Sequence, residues 1–142
     1  PLFSKAFLPD NEKEISKIHN KVDFIFCCEV LEHLYDKNLS QLFKSAKNLL
    51  SDRGLILFTT PNNEDLSKGY ICNPIDGSLF HRWQHVRSWN RNTLTNKLIH
   101  YGFKVVDVKE TNILWWAKFP RNLFNRLIYR EKGSLFILAK KK

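Results

Sequence analysis

The stretch that decides the reading of this chain is Val22 to His33, VDFIFCCEVLEH. It opens as an unbroken apolar run with β-branched and aromatic residues, the pattern of a strand buried on both faces. It stops abruptly at two carboxylates and an imidazole, Glu29, Glu32 and His33. A strand that delivers such groups at its carboxyl end puts them where an open α/β sheet binds its ligand.

Downstream, Leu39, Leu42, Phe43, Ala46, Leu49 and Leu50 recur at spacings of three and four, which predicts a helix over Asn38 to Leu50 with one apolar stripe. Asp36 or Asn38 is the expected N-cap, and Ser51-Asp52-Arg53-Gly54 the expected stop, with Gly54 in the left-handed position past the helix end. A second buried strand follows at Leu55 to Thr60. Strand, helix and strand with short joints make a βαβ unit, so the two strands run parallel through a right-handed crossover. Pro61-Asn62-Asn63 then breaks the pattern and opens an irregular stretch to about Ser88. A loop that long in a compact domain serves as a lid or binding loop, or is disordered, and Tyr70, Phe80 and Trp83 argue for order.

Beyond it the sequence predicts a helix over Arg91 to Tyr101 stopped by Gly102, a strand over Phe103 to Lys109, another over Ser134 to Ala139, and a solvated lysine tail. Between those strands, Asn112 to Lys132 holds Trp115-Trp116 and then a basic amphipathic helix from Pro120. That helix either lies across a sheet or touches a membrane surface. Upstream, Pro1 to His19 is weakly patterned, with Pro9-Asp10-Asn11 as a turn or cap.

At 142 residues, 43% hydrophobic and 26% charged, the chain suits one soluble domain with a real core. It has no apolar run of about 20 residues to span a bilayer and no basic-then-apolar signal peptide, so the expected location is cytoplasmic. Cys27 and Cys28 are neighbours in a strand and point to opposite faces, so with Cys72 they make no disulfide framework. The net charge of +9 is scattered rather than gathered into one patch.

Four stretches in order, VDFIFCCEVLEHL, LLSDRGLILFTTPN, HVRSWNRNTLTNKLIHYGFKVVDV and SLFILAKK, resemble the C-terminal half of a class I S-adenosylmethionine-dependent methyltransferase. The resemblance is close from Lys21 to about Val108 and looser over the last strand. It implies an α/β fold with a partial Rossmann-like methyltransferase sheet: strands four to seven with flanking helices, the last strand antiparallel between five and six. The family's glycine-rich cofactor loop and the acidic residue ending its second strand have no counterpart here. The expectation is therefore a single partial domain over residues 1–142, a fragment of a longer gene, inactive alone, with the Val22 to Cys28 strand left as an exposed apolar edge.

The resemblance also implies a site. Cys28, at the end of strand four, falls beside S-adenosylmethionine, with Glu29 next to it; read without the family, Cys28 is simply a buried small hydrophobe. Glu29, Glu32 and His33 at i, i+3 and i+4 would share one face of a helical turn. With His85 from the loop after strand five they make a candidate set for Mg²⁺, Mn²⁺ or Zn²⁺. That arrangement resembles two metal-using branches, the ubiquinone-pathway O-methyltransferases and the small-RNA 3′-terminal 2′-O-methyltransferases, and the latter also match His85, Trp89, Asn90 and Arg91. Other members share the Glu-Val-Leu-Glu-His run without a metal, and there His33, or else His85, is the general base. His81, Tyr70, Phe80 and Trp83 are expected to shape the acceptor pocket, and His19 and His100 to lie on the surface.

The leading expectation is O-methylation of a small or lipid-linked acceptor. The alternatives are a metal-dependent RNA 3′-terminal 2′-O-methyltransferase and an inactive half-domain that serves as a binding module. RNA and peripheral membrane contact are the further partners to consider.

Overall fold

Strand β1 (Val22–Cys28) opens the structure, a computed structural model that describes residues 22–111 and 133–142. The expectations for Pro1 to His19 and for the Trp115 to Arg130 segment fall outside those residues. Helix α1 (Asp36–Leu49) leads directly into β2 (Leu50–Pro61), and a small hairpin follows, β3 (Tyr70–Cys72) and β4 (Leu79–His81). Helix α2 (Arg91–His100), β5 (Phe103–Thr111) and β6 (Ser134–Lys141) complete the described elements. Among the described residues no helix is long and apolar enough to cross a membrane.

The main sheet has the order β1-β2-β6-β5. Strands β1 and β2 are parallel, and β6 is antiparallel to both β2 and β5. A last strand that enters antiparallel between two others is the topology the family resemblance implied. Along β6 the buried positions are Leu135, Ile137 and Ala139, and along β2 they include Ile56, Phe58 and Thr60, the period of two that marks a single core-facing side. These residues join one cluster with Leu39, Phe43 and Ala46 of α1 and Leu94 and Leu98 of α2. At its centre Phe43 meets Phe58, Tyr101 and Phe103 with ring centroids 5.7, 5.0 and 6.1 Å apart. Complete burial of side chains of this size stabilises by about 1.5–3 kcal/mol each.

Three local expectations are corrected. Strand β1 is not buried on both faces. Cys27 joins the core and Ile25 packs against it, but Phe24 and Phe26 on the other side are exposed, Phe26 at 71%, with their rings 4.5 Å apart. The physical reason is layering: Phe24 and Phe26 point to the face opposite the one that packs on the core, and no described residues bury them there.

Gly54 is not a left-handed helix stop. The chain turns at Leu50, and Ser51 to Gly54 form an extended irregularity where the β1 register jumps from Val22↔Leu50 to Phe24↔Leu55. Glycine is needed there because a Cβ would stand 2.8 Å from the Val22 carbonyl oxygen. Gly102, in contrast, does take a positive φ of 80° after α2, as expected.

Neither Asp36 nor Asn38 caps α1. Tyr35 holds that position without a side-chain cap, and Asp36 instead accepts from Arg87 at 3.0 Å. The cap the sequence reading overlooked is on α2, where Asn90 and Thr93 form a reciprocal capping box.

Candidate functional site

Because β1 and β2 are parallel, their carboxyl ends open on the same edge of the sheet, and the Glu-Val-Leu-Glu-His run begins there. Glu29 has a φ of 53°, a left-handed conformation that costs a non-glycine residue about 1–3 kcal/mol. Two bonds to β2 hold it: its N–H donates to the Thr59 carbonyl at 2.9 Å, and Thr59 Oγ1 donates to its Oε1 at 2.8 Å. The chain then closes into a single 3-10 turn, Leu31–His33, with the His33 N–H on the Val30 carbonyl at 3.1 Å.

Neighbouring residues in a strand point to opposite sides, so Thr59 and Thr60 serve different carboxylates. Thr60 Oγ1 donates to Glu32 Oε2 at 3.0 Å. Glu32 is buried, and its Oε1 has no hydrogen-bond partner but lies 3.9 Å from His33 Nε2.

The second half of the site comes from the connection between β2 and α2, which is ordered. An Asn62↔Trp89 bridge and a 2.7 Å bond from the Asn63 N–H to the Trp89 carbonyl tie its two ends together. The returning strand of chain crosses the β1 turn, where the Val86 N–H donates to the Glu32 carbonyl at 2.9 Å. This bond sets His85 beside His33, with ring centroids 4.7 Å apart and rings nearly perpendicular. His81 stacks on His85 at 4.9 Å.

The structure therefore brings together Glu32, His33 and His85, which offer ligand atoms within 4.8 Å of one another. Glu29 is adjacent but outside that set, since its carboxylate turns to Thr59. Burial raises its pKa above the ordinary 4.5; the Thr59 hydroxyl and the nearby His85 act to lower it, and the Glu32 carboxylate to raise it. Cys28 is exposed at the end of β1, so the reading of it as a buried hydrophobe fails. Cys27 is the buried thiol, pushed up to about 12 chiefly by burial, with Cys28 and Glu32 adding to the shift.

His81 is buried, whereas Tyr70, Phe80 and Trp83 are exposed, Trp83 at 63%; of these Tyr70 meets the edge of His81 at 5.9 Å. His100 lies on the surface, as expected. One residue of the cluster was missed. Glu64 approaches both His81 and His85, and Glu64, His81 and His85 form a second group of ligand atoms within 4.8 Å. The His81 to His85 spacing was a visible signal, but nothing in the sequence around Glu64 distinguishes it from a solvated loop acid.

The family model described as "Methyltransferase domain" matches residues 4–108, most of the chain. The chain belongs to that methyltransferase domain family. No curated protein matches it significantly. Among solved structures, it is similar to an S-adenosylmethionine-dependent methyltransferase from Mesorhizobium loti, with a TM-score of 0.59 and 19% identity over 87% of this chain and 64% of that one. A comparable protein from Archaeoglobus fulgidus gives a TM-score of 0.58 and 20% identity over 95% of this chain and 66% of that one. The 1,6-didemethyltoxoflavin-N1-methyltransferase of Burkholderia thailandensis, solved with its acceptor and S-adenosylhomocysteine, gives 0.59 and 14% over 90% of this chain and 48% of that one. The chain thus spans about half to two thirds of the length of these structures. At such identities the likeness concerns the fold.

Proposed function

We propose that this chain carries the acceptor side of an S-adenosylmethionine-dependent methyltransferase that O-methylates a small or lipid-linked molecule. The observation that carries this reading is the meeting of Glu32, His33 and His85 at the carboxyl edge of the parallel pair β1 and β2, where such sheets bind ligands. Family membership supports methyl transfer as the activity, and structural neighbours solved with S-adenosylmethionine or its demethylated product support that cofactor.

S-adenosylmethionine, when bound, supplies an electrophilic methyl group on a sulfonium. Cys28 is exposed at the strand end, just before the left-handed turn at Glu29, and these two are the residues proposed to face it. His33, with 39% of its side chain exposed, is open to an incoming acceptor and takes the hydroxyl proton as the oxygen attacks. Buried Glu32, held by Thr60, stands beside His33 with its Oε1 3.9 Å from the ring Nε2. The bond from Val86 to Glu32 locks the two halves of the site together, which is the alignment that a displacement at carbon requires.

One observation favours a divalent cation at the same place. Glu32 Oε1 is buried without a partner and lies with the His33 and His85 nitrogens in a set that fits Mn²⁺ or Zn²⁺. Glu32, His33 and His85 would hold the ion, and it would acidify an acceptor hydroxyl.

The test is methyl transfer from labelled S-adenosylmethionine to a panel of hydroxyl and amine acceptors, using the protein at its full natural length, with and without chelator. A labelled ether product that is lost in His33→Ala is the expected result. Transfer confined to nitrogen acceptors, or unchanged in His33→Ala, overturns the proposed role. Activity that chelator abolishes and Mn²⁺ restores establishes the metal, and activity indifferent to chelator removes it.

A further inference from the structure

Glu64 lies outside the motif that marks the site, yet it makes the shortest polar contact in it. His85 Nδ1 stands 2.5 Å from Glu64 Oε2, and the two side chains are 9% and 22% exposed. A carboxylate accepts and cannot donate, so the hydrogen of that bond sits on Nδ1. A neutral imidazole has one N–H, which leaves His85 Nε2 as a bare lone pair.

His81, on the other side of Glu64, is fixed the opposite way round. Its Nδ1 accepts the backbone N–H groups of His85 at 3.2 Å and Trp83 at 3.4 Å, so its own hydrogen is on Nε2. That nitrogen is buried without a hydrogen-bond partner, 3.8 Å from Glu64 Oε1. Gly69 presses on the same ring edge, where a Cβ would fall 1.8 Å from His81 Nε2.

These contacts decide between two uses of the cluster. Glu64, His81 and His85 are close enough to hold a metal. His81, however, has spent on the backbone the lone pair it would need to be a ligand, and Gly69 crowds the nitrogen that remains. Within the cluster the side-chain hydrogen bond is the one between Glu64 and His85, so its use is to hold His85.

We propose that Glu64 is a positioning residue that holds His85 as the Nδ1–H tautomer, so that bare Nε2 is the nitrogen His85 offers to Glu32 and His33. A carboxylate behind an imidazole fixes ring orientation, selects the tautomer and raises the basicity of the far nitrogen. A lone pair there is what either uptake of a proton or ligation of a divalent ion needs, and its use in catalysis rests on the methyltransferase reading given above. The tautomer itself does not.

The experiment is ¹⁵N NMR of the histidine rings in the protein at its full natural length, at alkaline pH, with the His85 signals identified by their loss in His85→Gln. The expected spectrum has a protonated Nδ1 and a bare Nε2 at His85. Glu64→Leu moves the proton toward Nε2, whereas Glu64→Gln, whose amide oxygen still accepts, retains it on Nδ1. A wild-type His85 protonated on Nε2 overturns the proposal with no variant needed, and so does a tautomer that Glu64→Leu leaves unchanged.

In the transfer assay, Glu64→Leu lowers kcat about 10–100-fold with little change in KM, the loss usual for a group supporting an active-site histidine, and Glu64→Gln recovers part of it. A tautomer that behaves as stated while kcat stays constant supports the positioning and overturns the catalytic use of His85.

Discussion

Glu32 and His33 reach the site from a short strand and a single turn, whereas Glu64, His81 and His85 arrive through a connection that leaves β2 and returns at Trp89. The first group sits on one contiguous run braced by one neighbour: Glu29 and Glu32 each accept from a threonine of β2. The second is held by cross-chain contacts, the Asn63–Trp89 and Val86–Glu32 bonds, and by the packing of Gly69 on His81. A site half made by a contiguous run and half by a fold-back has one part that tolerates changes elsewhere and one that does not.

The largest break in this comparison is a loss of chemistry from either side. His33→Ala and His85→Ala should each reduce methyl transfer by about 10²–10⁴-fold, the range for a residue that moves or positions a proton in the transition state; initial rates at saturating acceptor check this. Equal losses from both would show that the fold-back is as necessary as the motif.

Next in size is Gly69→Ala, which puts a methyl group into the His81 ring. It should destabilise by about 1–3 kcal/mol, the usual cost of overpacking, and disturb the His81 and His85 resonances while sparing that of His33. Urea unfolding and ring NMR together measure both parts.

A smaller effect belongs to the motif side. Glu29 has its folded-state pKa raised, with burial as the largest cause. Such a group lends its full stability below the ordinary value of 4.5 and loses it as pH rises through the raised value. Glu29→Gln should therefore gain thermal stability relative to the wild type at neutral pH and lose that advantage in acid. Melting temperatures at the two pH values show the sign.

The smallest effect separates the two thiols of the opening strand. Brief alkylation near neutral pH should label exposed Cys28 and Cys72 and leave Cys27 unmodified, because burial holds Cys27 protonated at a pKa of about 12. Mass spectrometry of the digested protein reads the ratio.

Much of the fold was legible because its signals are local. The stripe from Leu39 to Leu50 and the apolar runs at Leu55 to Thr60 and Ser134 to Ala139 each report the period of their own element. The exposure of Phe24 and Phe26 was not legible, since a run of apolar residues says what a strand is made of and not which layers cover it. The stop at Ser51 to Gly54 was misread for a similar reason: the glycine answers the Val22 carbonyl, which lies far away in sequence.

The sequence by itself determined the α/β class, the parallel pair and the run that ends in Glu29, Glu32 and His33, because each follows from spacings within a few residues of one another. The tertiary structure alone decided that Glu29 turns to Thr59 while Glu32 turns inward, that His85 stands against His33, and that Glu64 lies behind His85. Those outcomes depend on which strand lies alongside and where a loop returns. They are set by burial and hydrogen bonding between residues some twenty to more than fifty positions apart, and no local pattern encodes them.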